Sequence, residues 1–509
     1  MTNKHTSKSK VTILAKVLGN NWFFAFIIAF FLFQTIWIAM SAIYPMLFDE
    51  EYHLGIIDIY SRQISPFIHI QPSDAAFHGD ITRYGSYLFH YLMGFPYALI
   101  QSFTNDIQTT VILMRLICIG FVIAGLFVFR AFLLRTGLTK SMTHLSIAIF
   151  TMIPIVPLAL SQINYDSLAF LLIAIIFYLA IRSTENSKNQ ITWIMLLLST
   201  SAISSLVKFT VLPVAFANVL FVAVILWRKH KKKALHVLKK QLKALPKATL
   251  ILSILFMLFS IGMFSERYAV NLVKYRAIEP KCDVIHSKES CIQYTVWRRD
   301  TTWKRENEEI HKKRNNPLDY TYKSWIPDVY NDFTTVAAFT YDDPNQELKI
   351  RYLPTAIKWS PGTIVMRVAS WVMLVISVIV LIVTWKRLPN RNLRYLTIGT
   401  LLIFFVSMWL RNYSDYLYIG TVTATQGRYY IPLLIPILAV VGLAFRQLLP
   451  RMRQQAAFLA LCLLLLSQGG GAANYILYSS SLWYWPDNRQ IIDTVNQSAR
   501  QFLQLFTLR

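Results

Sequence analysis

The first side chains that could carry out chemistry form an acidic cluster, Phe48-Asp49-Glu50-Glu51-Tyr52-His53, directly after the first long apolar stretch. If the cluster is helical, Asp49 and His53 share one face because they are four residues apart, and Glu50 is turned about a quarter of a circle away. Neighbouring carboxylates repel one another, and this repulsion favours a general base. A solvated acidic cap at the end of a membrane helix is the alternative interpretation.

A second group surrounds Arg428, in the sequence Thr425-Gln426-Gly427-Arg428-Tyr429-Tyr430-Ile431-Pro432 at the start of a later apolar stretch. A guanidinium at the depth of lipid headgroups suits bidentate binding of a phosphate, and the preceding Gly427 permits close backbone approach. We therefore expect Arg428 to bind phosphate, with Gln426 and Tyr429 beside it. An arginine that only extends toward the membrane surface is the alternative.

Two shorter signals lie at turns between other apolar stretches. Lys208 is enclosed by apolar neighbours and needs a partner such as a carboxylate or a lipid phosphate, or else it only marks the turn of a helical hairpin. Asn164 and Asp166 fit a substrate site and fit the cap of the next helix equally well. The predicted cationic set also includes Arg83 and Arg115.

Membrane helices must position these residues. Of the 509 residues 55% are hydrophobic and only 15% are charged, against about 25% charged in soluble domains. This composition argues against a soluble domain, and it excludes a disordered chain and a disulfide-rich secreted scaffold. The sequence predicts an all-α polytopic membrane protein with about eleven transmembrane helices. They lie near 22–44, 109–134, 143–160, 166–181, 191–207, 209–227, 248–268, 363–385, 395–410, 429–445 and 455–475.

Positive charge is concentrated on one side of this predicted membrane topology. With the N-terminus inside, the inner segments are 1–21, 130–142, 182–190, 228–247, 386–394 and 446–453. They hold 25 of the 51 Lys and Arg residues and a single acid, Glu185. The positive-inside rule therefore assigns them to the cytoplasm. The basic run in 228–247 is then a loop near anionic lipid, and we expect no nucleic-acid partner.

The chain divides into five predicted parts. They are a basic cytoplasmic N-terminus (1–21), a transmembrane core (22–268) with a first outer loop (45–108), an extracytoplasmic loop domain (269–362), C-terminal transmembrane helices (363–475) and an extracytoplasmic amphipathic tail (476–509). The apolar stretch 87–103 is interpreted as an outer juxtamembrane helix, because a further span would reverse the sides of the following loop. Cys282 and Cys291 fit a disulfide or two free thiols, whereas Cys118 and Cys462 lie in apolar spans as packing residues.

Several enzyme classes lack their motifs in this sequence. It contains no P-loop, no GxGxxG opening a helix, no HExxH, no GxSxG and no CxxC. ATP-driven transport within the chain, zinc-dependent hydrolysis and a serine-hydrolase elbow are therefore unsupported.

The sequence resembles the GT-C superfamily of membrane glycosyltransferases, in which an acidic motif in the first outer loop follows helix one. Asp49-Glu50 and the 45–108 segment match that plan. It is also similar to a bacterial family of multi-pass membrane proteins of unknown function. The four motifs of that family correspond to Asp49-Glu50-Glu51-Tyr52-His53 (with Glu51 where the family has Pro), Asn164-Tyr165-Asp166, Lys208, and Gln426-Gly427-Arg428-Tyr429 with Pro432.

The resemblance implies a GT-C-like fold and an outward-facing enzyme of the bacterial cell membrane. The enzyme would transfer a sugar from a polyprenyl-phosphate donor to a cell-envelope glycan or polymer. Asp49 would be the general base, Glu50 and His53 would orient it or bind substrate, and Arg428 with Lys208 would stabilise the departing phosphate. The sequence identifies no certain cofactor, and the adjacent carboxylates leave a divalent metal open. A lipid-linked-sugar flippase or transporter and a non-catalytic envelope assembly protein are the alternatives.

Overall fold

The computed structural model describes residues 13–185, 189–310, 314–334 and 361–506. These residues form helices and connecting turns without a β-strand; an isolated bridge joins Ala42 to Tyr484. The fold confirms an all-α, multi-pass membrane protein. The start of the predicted N-terminal part, most of the later half of the 269–362 segment and the last three residues of the tail lie outside the described residues.

Nine helices in the described ranges are long and apolar enough to cross a membrane. They are α1 (Asn21–Ser41), α2 (Ile107–Arg135), α3 (Tyr165–Thr184), α4 (Gln190–Val207), α5 (Val211–His230), α6 (Lys247–Phe264), α7 (Pro361–Thr384), α8 (Arg391–Ile419) and α9 (Ile431–Leu448). A π-helical turn, Ser265–Ala269, extends α6 into the short helix Val270–Tyr275, and a 3₁₀ turn, Gly427–Tyr430, precedes α9. Each of the nine corresponds to one of the eleven predicted spans.

The other two predicted spans are interrupted helices. The stretch 143–160 divides into Lys140–Met152 and Ile155–Leu160, because Ile153 precedes a proline and takes an extended conformation. The stretch 455–475 divides into Arg451–Ser467 and Ala473–Tyr478 around three glycines, two of which have φ of +99° and +60°. The two breaks meet, since the Gly471 N–H donates to the Met152 carbonyl oxygen at 2.7 Å. Eleven crossings therefore stay a prediction.

The segment between α1 and α2 contains two further helices, Glu50–Ser61 and Leu88–Gln101. The second covers the ambiguous stretch 87–103, and its 14 residues reach only about 21 Å, short of a hydrocarbon core of about 30 Å. Its Gly94 lies against the backbone of Ser61, where a Cβ atom would come within 3.2 Å of that residue's Cα. The two helices are therefore a packed pair rather than a membrane crossing.

Short helices also make up the rest of the molecule. Between α6 and α7 they are Cys282–Ile285, Lys288–Cys291, Thr295–Ile310, Pro317–Tyr320 and Ile326–Thr334. Cys282 and Cys291 are joined by a disulfide bond, and Cys118 and Cys462 are buried free thiols. A basic helix, Ala234–Ala244, links α5 to α6.

The tail contains the helix Arg489–Gln504. Its Ile492 and Asn496 are buried, and the Asn496 side chain accepts a hydrogen bond from the Trp37 indole at 3.1 Å. Ile491, Val495 and Phe502 remain exposed on the same helix. The predicted amphipathic helix is thus present and rests on α1.

Candidate active site

Asp49 lies between α1 and the helix Glu50–Ser61, in an unusual backbone conformation. Phe48 and Asp49 have φ of +61° and +67°, the left-handed region that costs non-glycine residues about 1–3 kcal/mol each. Such a conformation persists only where surrounding contacts hold it. Here an Arg428 Nη donates to the Phe48 carbonyl oxygen at 2.8 Å. The result is an Asp49 side chain that remains 59% exposed.

Arg428 is the cation opposite Asp49. Its second Nη lies 2.6 Å from an Asp49 carboxylate oxygen, and its side chain is only 2% exposed. Gly427 before it lies against the helix Ile326–Thr334. A Cβ atom on Gly427 would fall 2.8 Å from the Val329 carbonyl oxygen, and the Gly427 N–H donates to Asp332 at 2.8 Å. The expected close backbone approach at this glycine is therefore present.

Lys208 and Asp166 form a second ion pair beside the first. The Lys208 ammonium contacts one Asp166 carboxylate oxygen and lies 4.6 Å from the ring centroids of both Tyr165 and Tyr429. The other Asp166 oxygen is 3.9 Å from an Arg428 Nη. Together Asp49, Asp166, Lys208 and Arg428 constitute what we call the charged group. Asp49 lies in the segment after α1, Asp166 and Lys208 lie at ends of α3 and α4, and Arg428 lies in the turn before α9, so four distant parts of the chain meet at one end of the bundle.

Asn164 positions Asp166 rather than facing a ligand. Its side chain accepts from the Asp166 N–H at 2.9 Å and donates to the Ala159 carbonyl oxygen at 2.8 Å, with the residue fully buried. This is an N-cap in the ordinary sense, and it fixes where α3 begins. Of the two sequence interpretations of Asn164, the cap matches the geometry.

Glu50 and Arg115 form a fully buried bidentate pair behind Asp49. The Arg115 guanidinium donates to both Glu50 oxygens at 2.8 and 2.7 Å, and neither side chain has exposed surface. Backbone N–H groups of Met46 and Ile163 also donate to Glu50, and Arg115 reaches carbonyl oxygens at the end of α1. With so many hydrogen bonds satisfied internally, the pair serves to hold the segment that carries Asp49.

His53 is paired with a second histidine. Its Nδ1 lies 2.9 Å from His90 Nε2, the two rings are stacked, and both residues are buried. Burial lowers the pKa of both imidazoles, that of His90 to about 3, so both are neutral at pH 7. In the described part of the chain His53 Nε2 has no hydrogen-bond partner. His53 also contacts the Tyr165 ring, with centroids 4.5 Å apart, and so borders the charged group.

The remaining predicted residues have separate surroundings. Arg83 donates to Glu266 and Asn271, both at about the end of α6, and so ties the first outer loop to that helix. Gln426 is half-buried beside Gly427, and its side-chain oxygen has no hydrogen-bond partner among the described residues. Tyr429 flanks Lys208 as described above. Arg83 is thus directed to α6, whereas Gln426 and Tyr429 adjoin the charged group.

A divalent metal at the acidic cluster stays a prediction. Glu50 is paired with Arg115 and Asp49 with Arg428, and the two exposed acids of the cluster are Asp49 and Glu51. Over the described ranges no group of three or more His, Cys, Asp or Glu residues has the geometry of a metal site.

Sequence reasoning selected Tyr429 but did not select Tyr84, Tyr294, Glu279 and Arg411. Half-buried tyrosines adjoin the charged group, and we call them the tyrosine group: Tyr52, Tyr84, Tyr165, Tyr294 and Tyr429. Beyond them Glu279 pairs with Arg411 at 3.7 Å. Arg411 follows the predicted span 395–410 directly, and this position at the outer end of a span was the available signal.

Comparison with protein-family models, with curated proteins and with solved structures finds no match to this chain. Fold and site define its class on their own: a multi-pass, all-α membrane protein with paired acids and bases gathered at one end of its helix bundle.

Proposed function

We propose that this protein is a membrane glycosyltransferase. It transfers a sugar from a polyprenyl-phosphate donor to an extracytoplasmic acceptor of the cell envelope, a glycan or polymer. The observation that carries the proposal is the contact between Asp49 and Arg428: a half-exposed carboxylate held at 2.6 Å by a buried guanidinium, at the ends of membrane helices. Such a transfer requires a base that is open to solvent, next to a fixed cation that binds the donor phosphate.

The reaction is a single displacement. The acceptor hydroxyl oxygen attacks the anomeric carbon while its proton passes to Asp49. The bond from that carbon to the phosphate oxygen breaks, and polyprenyl phosphate leaves with the electron pair. The sugar–phosphate diester carries one negative charge and the departing monoester gains a second. Arg428 and Lys208 therefore bind the transition state more strongly than the donor, which is the condition for catalysis. The anomeric centre is inverted.

The existing ion pairs make the donor a competitor of Asp49. Two acids neutralise two bases in the charged group, so an incoming phosphate displaces a carboxylate. Asp49 is the carboxylate that can leave, since it is 59% exposed and Asp166 only 6%. Arg428 stays in place through the Phe48 carbonyl. Donor binding thus frees the base at the moment when it is needed.

The distribution of charge supports an extracytoplasmic location of the charged group. Asp166 lies at the first turn of α3, and Arg135 pairs with Glu185 at the far end of that helix. The basic segment 130–142 and residues 182–185 therefore lie at the end of the bundle opposite the charged group. The positive-inside rule makes theirs the cytoplasmic side. The interrupted segment 136–164 joins these two ends, which supports a crossing there and eleven crossings in all in a bacterial cell membrane.

The direct test is transfer of label. Purified protein in nanodiscs is mixed with a panel of radiolabelled polyprenyl-phosphate sugars and a cell-envelope extract, and new labelled products are separated. We expect transfer from at least one donor, lost in Asp49→Asn. Asp74→Asn is the matched control, because Asp74 is also a half-exposed acid that pairs with an arginine, Arg62, at 2.7 Å.

Three outcomes would contradict the proposal. If sugar transfer persists in both Asp49→Asn and Arg428→Ala, the proposed mechanism is wrong. Movement of intact donor between leaflets without a new product would instead identify a flippase or transporter. Donors that bind and are neither transferred nor moved would leave an assembly protein.

A further inference from the structure

Two glycines of the first outer loop bring the later outer segment close to Asp49. Gly79, with φ of +85°, lies against the Tyr294 ring, where a Cβ atom would be 2.8 Å from ring carbons. At Gly85 a Cβ atom would lie 3.3 Å from a carboxylate oxygen of Glu279. Tyr294 and Glu279 therefore contact the two ends of one short loop, and Tyr84 lies between the two glycines in sequence.

The tyrosine group is continuous between the charged group and Glu279. The Tyr52 ring centroid lies 5.5 Å from that of His53, and the Tyr84 ring centroid lies 6.4 Å from that of His90. Burial together with the nearby Glu279 and Tyr294 raises the pKa of Tyr84. Tyr294 in turn is close enough to Asp49 and Glu279 that both charges raise its pKa, in addition to burial and the charge of Asp300.

The other edge of the group is formed by membrane-helix ends. Arg411 of α8 is within electrostatic reach of Tyr165 and Tyr429, and it pairs with Glu279 at 3.7 Å. The Arg411 side chain remains 46% exposed and that of Glu279 27%. Their contact is thus loose and accessible, unlike the buried pair of Glu50 and Arg115. The tyrosine group is thus bordered by a carboxylate and a guanidinium that are both partly exposed.

This combination suits a sugar ring. Half-buried tyrosines offer flat apolar faces on which the C–H groups of a pyranose can lie, and their hydroxyls both donate and accept hydrogen bonds. A carboxylate accepts from sugar hydroxyls and a guanidinium donates to them, and hydrogen bonds to charged groups are the stronger kind. The pair has no net charge, so it favours a neutral polyhydroxylated ligand over an anion.

We infer that the tyrosine group together with Glu279 and Arg411 is the acceptor subsite, which binds a neutral pyranose of a glycan and presents one of its hydroxyls to Asp49. This inference rests on the proposed glycosyltransferase function. It adds the substrate class of the acceptor and assigns a purpose to the outer segment 276–310. The donor phosphate occupies Arg428 and Lys208 on one side of Asp49, and the acceptor ring lies on Tyr294 on the other.

Binding of simple glycosides tests the subsite without any donor. Full-length protein in nanodiscs is mixed with methyl glycosides of glucose, galactose, mannose and N-acetylglucosamine, and saturation transfer to the ring protons is recorded by NMR. We expect saturation transfer to the ring protons of at least one glycoside, which shows that this glycoside binds. Binding should weaken about three- to tenfold in Tyr294→Ala and in Glu279→Gln. It should be unchanged in Tyr322→Ala and Glu308→Gln, exposed residues of the same types.

The two proposals fail separately. If no glycoside binds, or if binding survives both Tyr294→Ala and Glu279→Gln, the subsite is wrong, whatever the labelled donors show. If glycosides bind through these residues while no donor is ever used, the glycosyltransferase is wrong and a glycan-binding protein remains. Each variant is first compared with the unaltered protein in its thermal midpoint, and Glu279→Asp provides a second, smaller change at the same position.

Discussion

Asp49 and Arg428 are 379 positions apart in sequence, and their side chains are joined by an ion pair of 2.6 Å. The two partners are unequal. The guanidinium is buried and fixed by the Phe48 carbonyl oxygen, whereas more than half of the carboxylate side chain is exposed. A competing anion therefore releases Asp49 and leaves Arg428 in place. The catalytic predictions below depend on this asymmetry.

Asp49→Asn should abolish sugar transfer without weakening donor binding. The amide keeps the size of the side chain but cannot accept the proton, and positioned general bases contribute about 10²- to 10⁴-fold to rates. We expect kcat to fall by that factor and KM for the donor to stay level or decrease, since the phosphate no longer competes with a carboxylate for Arg428. Initial rates over a range of donor concentrations separate the two constants. An increase in KM with kcat unchanged would contradict the assignment.

Arg428→Lys should not rescue Arg428→Ala. A lysine keeps the charge but cannot donate in a fork to Phe48 and to a phosphate, so the backbone at Phe48 and Asp49 loses its support. Loss of an electrostatic donor at a developing charge costs about 10²- to 10³-fold in kcat. Arg62→Lys is the matched control, because Arg62 also bridges acids but is exposed. Equal activity of Arg428→Lys and the unaltered protein would show that a point charge suffices.

Glu50→Gln should destabilise the protein even though the change is isosteric. It leaves the Arg115 guanidinium buried without its counter-charge, and breaking a buried pair costs about 3–5 kcal/mol. Glu185→Gln removes the partner of the exposed Arg135 and should cost at most about 1 kcal/mol. Thermal midpoints in the same nanodiscs compare the two variants. Similar midpoints for both would argue against a structural role for the pair of Glu50 and Arg115.

Stability should fall as the pH is lowered below about 6.5, because of the histidine pair. The folded protein holds the pKa of His90 near 3, against 6.5 for an ordinary histidine, so the unfolded chain binds a proton that the folded protein does not. Above pH 6.5 the ring is neutral in both states, and the free energy of unfolding is unaffected. Below pH 6.5 protonation of the unfolded chain lowers the free energy of unfolding, by about 2 kcal/mol at pH 5 for His90 alone, and this loss grows down to about pH 3.

His90→Phe keeps the aromatic stack and removes one titrating ring, so its midpoint should change less between pH 7 and pH 5 than that of the unaltered protein. His69→Phe, at an exposed position, should leave the pH dependence as it was. If all three proteins lose the same stability between the two pH values, other groups are responsible.

The long membrane helices were predictable because hydropathy is a property of contiguous residues. All nine agree with the sequence, and the charge distribution also separated the short helix Leu88–Gln101 from a membrane span. The two interruptions escaped prediction since an average over some 20 residues conceals a single break. Pro154 and the glycines 469–471 were visible in the sequence, but apolar residues on either side outweighed them.

The candidate site was predictable as a set of helix ends and not as a set of contacts. Asp49, Asp166, Lys208 and Arg428 were all expected at the outer side, and the structure joins them into one group. Which cation meets which acid depends on the packing of four helices, and sequence spacing carries no information about it. For the same reason Glu50 was assigned to Asp49 or the substrate and Arg115 to the cationic set, although the two are buried and pair with each other.

Tyr294 and Glu279 were missed for a different reason. Their segment between α6 and α7 lacks hydrophobic periodicity. It contacts the first outer loop at Gly79 and Gly85, where the absence of a side chain leaves room for Tyr294 and Glu279. A glycine in a loop indicates that another group packs closely against the backbone, but the sequence does not identify that group. Only the fold supplies the identity of the neighbour.

The contacts of the C-terminal segment with the end of α1 bear on the order in which the protein is built. The Ile43 N–H donates to the Trp483 carbonyl oxygen, and the Trp485 N–H donates to that of Ser41. Arg115 binds the carbonyl oxygens of Ala42 and Ile43 from the other side. The backbone leading to Asp49 is thus completed by residues that the ribosome adds more than 400 positions later. Every side chain of the charged group is therefore synthesised before the residues that complete the backbone behind Asp49.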